Sequence, residues 1–164
     1  MSRVLVTDGT SALGAALVRR LLRDPAYDVR VADERPAPQW MREGCEIEAG
    51  DLRDPEQTRR AVEGCQFVVQ LATAAGPFAA LEATVALVRA ALDAGVERFV
   101  CVSPAEAATG GEAVVRAAAA EHGLAFALCR AAGERGAPIP DDRLADAIVA
   151  ALASQERAVE LDEM

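Results

Sequence analysis

One stretch near the start of the chain, Val4-Leu5-Val6-Thr7-Asp8-Gly9-Thr10-Ser11-Ala12-Leu13-Gly14 and onward to Leu22, restricts the possible folds more than any other. Four β-favouring or apolar residues lead into a turn of Asp, Gly, Thr and Ser, after which Leu13, Leu17 and Leu21 recur at helical spacing. This layout predicts a buried strand, a tight turn and a helix. It aims the helix's free N–H groups and positive dipole end at the mouth of the strand, where a phosphate is stabilised.

The remaining chain repeats the alternation of strand and helix. Tyr27 to Asp33 alternates as a second strand ending on an acid, and Pro36 to Gly44 reads as a proline-bearing loop carrying Trp40 and Met41. Cys45 to Ala49 makes a short third strand. Asp54 then caps a helix with Pro55 in its first turn, and that helix runs from about Glu56 to Glu63 before Gly64. Gln66 to Ala72 is apolar enough for a strand covered on both faces. A long helix spans 76–94, with Phe78, Leu81, Val85, Val88 and Leu92 on one stripe and several alanines broadening it. A fifth strand ends at Ser103, a helix covers 112–121, and Gly123 to Arg130 is a sixth strand. Leu144 to Leu152 is amphipathic, and 157–161 is a short last strand. The pattern predicts an α/β fold, a Rossmann-like doubly wound parallel sheet of six or seven strands in three layers, with 1–164 forming one domain. Any ligand is expected at the carboxyl ends of the first, second and fourth strands.

Composition removes several functions. A net charge of −9 disfavours nucleic acid and anionic membranes as partners. No apolar run is long enough to span a bilayer, and the chain enters a strand at once, so a soluble cytoplasmic protein is expected. Cys45, Cys65, Cys101 and Cys129 lie far apart, without metal-ligand spacing, and read as buried reduced thiols; no metal site is expected. Lysine and asparagine are absent, all 17 positive charges are arginine, and Tyr27 and His122 are the single tyrosine and histidine. Chemistry that needs a lysine amine is excluded.

The first strand, turn and helix resemble the start of the extended and atypical short-chain dehydrogenase/reductases of the NAD-dependent epimerase/dehydratase type, whose turn reads Gly-x-x-Gly-x-x-Gly. Here the three glycine places hold Asp8, Ser11 and Gly14, with Gly9 beside the first. The resemblance implies that Gly9, Thr10, Ser11, Ala12, Leu13 and Gly14 face a dinucleotide pyrophosphate, close to which the Asp8 carboxylate repels a like charge. Asp33 stands nineteen residues beyond Gly14, the place of the acid that binds the adenosine ribose. That favours NAD over NADP, while Arg35 leaves room for a 2′-phosphate; the other reading of Asp33-Glu34-Arg35 is a solvated strand end. Gly50-Asp51-Leu52 is similar to the family's adenine-contacting segment, and Gln70-Leu71-Ala72 to its His-Leu-Ala, where Ala72 lets the backbone approach the cofactor. In the family the long helix belongs to a four-helix dimer interface, which implies a homodimer through the 76–94 and 112–121 helices. A well-wrapped monomer is the other reading.

Catalysis is where the resemblance fails. The family's catalytic hydroxyl falls on Pro104 or Ala105, its tyrosine on Glu112 and its lysine on Arg116. The substrate lobe is reduced to a remnant at 137–164. No catalytic residue of the usual kind is expected. One reading is a non-catalytic binding, regulatory or assembly subunit with nucleotide binding weak or lost; the alternative is an NAD(P)-dependent enzyme with Ser103, Glu106 or Glu112 as a non-standard proton handler.

Overall fold

The computed structural model describes residues 1–71, 77–103, 110–131 and 139–161. Its centre is β1 (Ser2–Thr7), whose residues alternate strictly between two cores. Val4 and Val6 face one side and Leu5 the other, as the two-residue period of a strand requires. Around it lie β2 (Tyr27–Asp33), β3 (Glu46–Ala49), β4 (Phe67–Gln70), β5 (Arg98–Ser103), β6 (Phe126–Arg130) and β7 (Ala158–Leu161). The order across the sheet is β3-β2-β1-β4-β5-β6-β7, and every neighbouring pair is parallel. The chain winds outward from β1 to one edge and then returns to build the other half, so the strand order reverses between β1 and β4. A crevice opens there at the carboxyl ends.

On one face α1 (Ala12–Leu22) packs against α6 (Asp141–Ala153), with the short α2 (Gln39–Gly44) beside them. On the other, α4 (Pro77–Ala94) lies between α3 (Pro55–Val62) and α5 (Gly110–His122). Flanking helices thus cover most of the broad apolar face of α4 within one chain. Among the described residues, Val85 is the large apolar side chain of α4 left exposed, at 44%. The Phe78 side chain lies outside the described residues, as do Ala72, Pro104, Ala105 and Glu106.

The expected loop at 36–44 is corrected: a six-residue helix follows Pro38. It carries little helical signal of its own, and tertiary burial stabilises it. Met41 is fully buried in the core, and the Arg19 guanidinium sits 4.3 Å above the Trp40 ring. Asp54 accepts the Glu56 N–H at 3.0 Å with Pro55 opening α3, as the capping pattern predicts.

Two buried arginines stitch helix ends to the sheet. Arg30 on β2 donates Nη1 to the carbonyls of Ala61 at 2.8 Å and Glu63 at 2.7 Å, at the end of α3. Arg98 on β5 donates Nη2 to the carbonyl of Ser154 at 2.9 Å and also to that of Glu156, just beyond α6. Both place a cation where a helix presents unsatisfied carbonyls and its negative dipole end.

The β1–α1 junction rests on Gly14. A Cβ there would stand 2.5 Å from the Asp8 carbonyl oxygen and 2.6 Å from Gly9 Cα, both backbone atoms with nowhere to move. Gly14→Ala is therefore expected to destabilise the protein by about 2 kcal/mol, the overpacking outweighing the ~1 kcal/mol gain in helix propensity. Gly64→Ala meets no atom within 4 Å and is strained only by its φ of +75°, so it should cost about 1 kcal/mol. Urea unfolding of both variants checks the ranking; a smaller loss at Gly14 would show that the junction can open.

Candidate functional site

The turn after β1 is held by its own side chains. Asp8 has φ +53°, the left-handed conformation that glycine adopts freely and aspartate tolerates better than most residues. The Ser11 hydroxyl donates to the Asp8 carbonyl at 2.8 Å and accepts the Gly14 N–H at 3.0 Å, capping α1. One of the N–H groups that a helix start can offer an anion is thus already engaged by Ser11. Leu13 packs against the core, so only its backbone is available at the turn.

Across the crevice, Asp33 closes β2 with a carboxylate surrounded by donors. Its Oδ2 accepts the Thr10 N–H at 3.0 Å and the Thr10 hydroxyl at 2.7 Å. Its Oδ1 accepts the Arg35 backbone N–H at 2.9 Å and Nε at 3.2 Å, while Arg35 Nη2 reaches Oδ2 at 3.3 Å. The same guanidinium pairs with Asp8 on the opposite wall. Burial alone would push the Asp33 carboxyl up, but the donors from Arg35 and Thr10 together hold it below the ordinary aspartate range. At Asp8 burial prevails over the single Arg35 partner and the nearby Asp33 charge adds to it, so its pKa rises.

Below this bridge lies a cavity of about 330 Å³ at the carboxyl ends of β1, β2 and β4. Asp33, Asp51 and Leu52 all line it, with Thr7, Gln70 and Leu71 from the strand ends and Ala79, Ala83 and Leu87 from α4. Its size is within the range of small-molecule sites. Asp51 holds Arg53 through its Nη2 at 2.7 Å. Gln70, in the histidine place of the resemblance, is itself buried and bonded to Thr84 with Nε2 2.8 Å from its hydroxyl. Gly9 to Gly14 form the turn above β1 and do not line this cavity; Ala12 instead lines a groove between α1 and α6. Ala72 lies outside the described residues. Sequence reasoning missed Arg53, Gln70, Ala79, Ala83 and Leu87 as lining residues. The spacing of Ala79, Ala83 and Leu87, one helical turn apart, was the available signal.

At the other end of the sheet, Ser103 and Glu112 come together at the end of β5 and the start of α5. Arg130, at the end of β6, donates Nη2 to Glu112 Oε2 at 3.3 Å. Burial raises the Glu112 pKa, but the hydrogen bond and charge of Arg130 bring it below the ordinary value, so the group is ionised at neutral pH. The Ser103 oxygen is buried and makes no hydrogen bond of good geometry among the described residues. Tyr27 stands at the start of β2, the opposite end of the sheet from the crevice. Burial pushes the Cys101 and Cys129 thiols up to about 12 and the Cys45 and Cys65 thiols to about 11, so none offers a thiolate near neutrality. Among the described residues no cluster of His, Cys, Asp or Glu can hold a metal ion, and no helix is long and apolar enough to cross a membrane.

A sequence profile for NAD(P)H-binding proteins matches residues 9–135 of the 164, which include Gly9 to Gly14, Asp33 and the cavity-lining ends of β2 and β4. This chain belongs to that NAD(P)H-binding family. Solved structures similar to this NAD(P)H-binding domain include a dTDP-glucose 4,6-dehydratase from Streptomyces venezuelae with NAD bound, at 24% identity and a TM-score of 0.69. That match covers 80% of this chain and 56% of the dehydratase. A UDP-glucose 4-epimerase from Thermotoga maritima is 19% identical with a TM-score of 0.69, covering 80% of this chain and 55% of the epimerase. Vestitone reductase from alfalfa is 15% identical with a TM-score of 0.80, covering 99% of this chain and 76% of the reductase. The chain thus spans little more than half the length of the first two. At these identities the likeness is one of fold. No curated protein sequence matches the chain significantly.

The electrostatics of the bridge give a direct test. Carboxyl-carbon NMR titration should find Asp8 protonating above, and Asp33 below, the ordinary aspartate range. For Asp33 the lowered folded-state pKa means that its stabilising contribution is present above the unfolded-state value and lost as pH falls through the folded-state value. Coincident midpoints for the two residues would show that the bridge does not persist in solution.

Proposed function

We propose that this chain binds an adenine dinucleotide at the crevice without performing the redox chemistry of the full-length epimerases and reductases it resembles. The observation that carries the binding half is the cavity that joins Asp33, Asp51 and Leu52 at the strand-order reversal. In this reading Leu52, Ala79 and Ala83 bracket the adenine, and the start of α1 faces the pyrophosphate. Gly14 supports that role indirectly, since its lack of a Cβ lets the start of α1 sit directly against the turn after β1. Asp8 opposes it with a carboxylate, and the fit is therefore better for the adenosine half than for the phosphates. The cavity lining carries four carboxylates, Asp8, Asp33, Glu34 and Asp51, against the two guanidinium groups of Arg35 and Arg53. A further 2′-phosphate enters an already negative site, which supports NAD over NADP.

The non-catalytic half rests on what Glu112 has become. A proton donor at neutral pH needs a pKa near neutrality, and Arg130 holds this carboxylate ionised. With no lysine in the chain and its tyrosine at the far end of the sheet, the usual acid–base pair has no replacement among the described residues. The alternative, an enzyme using an unusual proton handler, is favoured by the juxtaposition of Ser103 and Glu112. It predicts NAD(P)H oxidation with carbonyl compounds, which our reading predicts to be absent. A homodimer through α4 and α5 is also proposed, supported by exposed Val85; light scattering should report a dimer that Val85→Glu converts to monomer.

Thermal-shift titration tests the binding reading. NADH at a hundredfold excess over its Kd should raise the melting temperature by roughly 5 °C or more, and NADPH by less at equal concentration. Asp8→Gly should tighten NADH by about tenfold, because removing one like charge near the pyrophosphate relieves on the order of 1–2 kcal/mol at surface-like dielectric. Ala83→Trp should fill the cavity and abolish the shift. No shift with either dinucleotide at millimolar concentration would remove the proposal.

A further inference from the structure

The Asp33 carboxylate receives five donors, two on Oδ1 and three on Oδ2. A carboxylate offers about four lone-pair sites, so this one has no capacity left for a ligand hydroxyl. Two of the five come from the Arg35 side chain, through Nε and Nη2. Removing them leaves three, and one acceptor site reopens. Asp33 is also shielded sterically, its side chain only 4% exposed, whereas that of Arg35 is 53% exposed. Whatever approaches this strand end from solvent meets the guanidinium before the carboxylate.

Arg35 does not lie there by its bonds to Asp33 alone. Its Nη2 crosses to Asp8 on the facing turn, so the guanidinium spans the gap between the β1–α1 turn and the end of β2. Asp8 occupies a backbone position with φ +53°, where glycine would be unstrained and could offer no such anchor. Thr10, which holds Asp33 from the turn side, completes the closure.

From this geometry we infer that Arg35, anchored by Asp8, is a specificity-determining clasp: while it is closed, Asp33 does not read the 2′-hydroxyl of an adenosine ligand, and opening it restores that reading. The inference rests on the dinucleotide site proposed above and changes what that site recognises. The adenine cavity still accepts its base. The ribose is left without the carboxylate contact that would otherwise discriminate it from a deoxyribose.

Adenosine and 2′-deoxyadenosine are the suitable probes, because neither carries a phosphate and the repulsion from Asp8 does not enter. Their Kd values can be measured by chemical-shift titration of ¹⁵N-labelled wild type, Arg35→Met and Arg35→Ala, whose spectra also report that each variant is folded. Wild type should bind the two nucleosides equally within about twofold. Both variants should bind adenosine about tenfold more tightly than 2′-deoxyadenosine, the worth of one hydroxyl donor to a carboxylate. A tenfold preference already present in wild type overturns the inference, as do variants that show no preference or bind neither nucleoside. If instead the variants lose 2′-AMP binding and gain nothing for adenosine, Arg35 is a phosphate contact and the clasp is wrong. An NADH titration of wild type separates the two failures. A retained NADH response with any of these outcomes removes the clasp alone, and its absence removes the dinucleotide reading as well.

Discussion

The close approach of Gly14 to the carbonyl of Asp8 is the contact on which the rest of the molecule depends. It lets α1 begin directly above the end of β1, and α1 in turn supplies Leu17, Val18 and Leu21 to the core beneath β1 and β2. A side chain at that point would lift the helix from the sheet and widen the crevice between the two halves of the fold. Asp8, one step beyond the strand, takes up the left-handed turn that makes the approach possible and carries a charge into a backbone position that glycine adopts freely. Structure and ligand chemistry therefore meet in a single turn, and they pull in opposite directions.

Arginine does in this chain what a mixed set of cations usually shares. Arg30 and Arg98 sit inside the protein and give their guanidinium donors to helix-end carbonyls, a task suited to a group that stays charged when buried and offers several N–H vectors in one plane. Arg35, Arg53 and Arg130 neutralise carboxylates around the open ends of the strands. The consequence at those ends is a set of mutually satisfied ion pairs. Such pairs hold a surface in order, but they leave few groups near neutrality to accept or deliver a proton.

The carboxyl ends of the strands differ from one half of the sheet to the other. Around β2 the cavity keeps an apolar floor of Leu52, Leu71 and Leu87, suited to a flat base. Around β5 and β6, Glu112 is paired with Arg130. A buried carboxylate paired with a guanidinium is an electrostatic support for α5 against the sheet. Its partner raises the cost of protonating it, and that is the opposite of what a general acid requires.

The sequence by itself determined the architecture. The β-favouring run of β1, the alternation in β2, the near-continuous apolar run of β4 and the turn chemistry at Asp54-Pro55 and Gly64 are local signals, and each matched its element within a residue or two. Asp33, Asp51 and Leu52 were legible as residues at one strand-end crevice because parallel topology brings the carboxyl ends of β2 and β3 together. The α2 helix was not legible, since Met41 and Trp40 are stabilised by contacts to distant α1 and the core rather than by any helical period. Nor was the bridge from Asp8 through Arg35 to Asp33. Residues separated in sequence by 27 and by 2 positions form one charged unit only when β1 and β2 lie side by side. Tertiary structure alone decided that the acid at the end of β2 is saturated, because hydrogen-bond satisfaction depends on which donors reach an oxygen and periodicity carries no record of that.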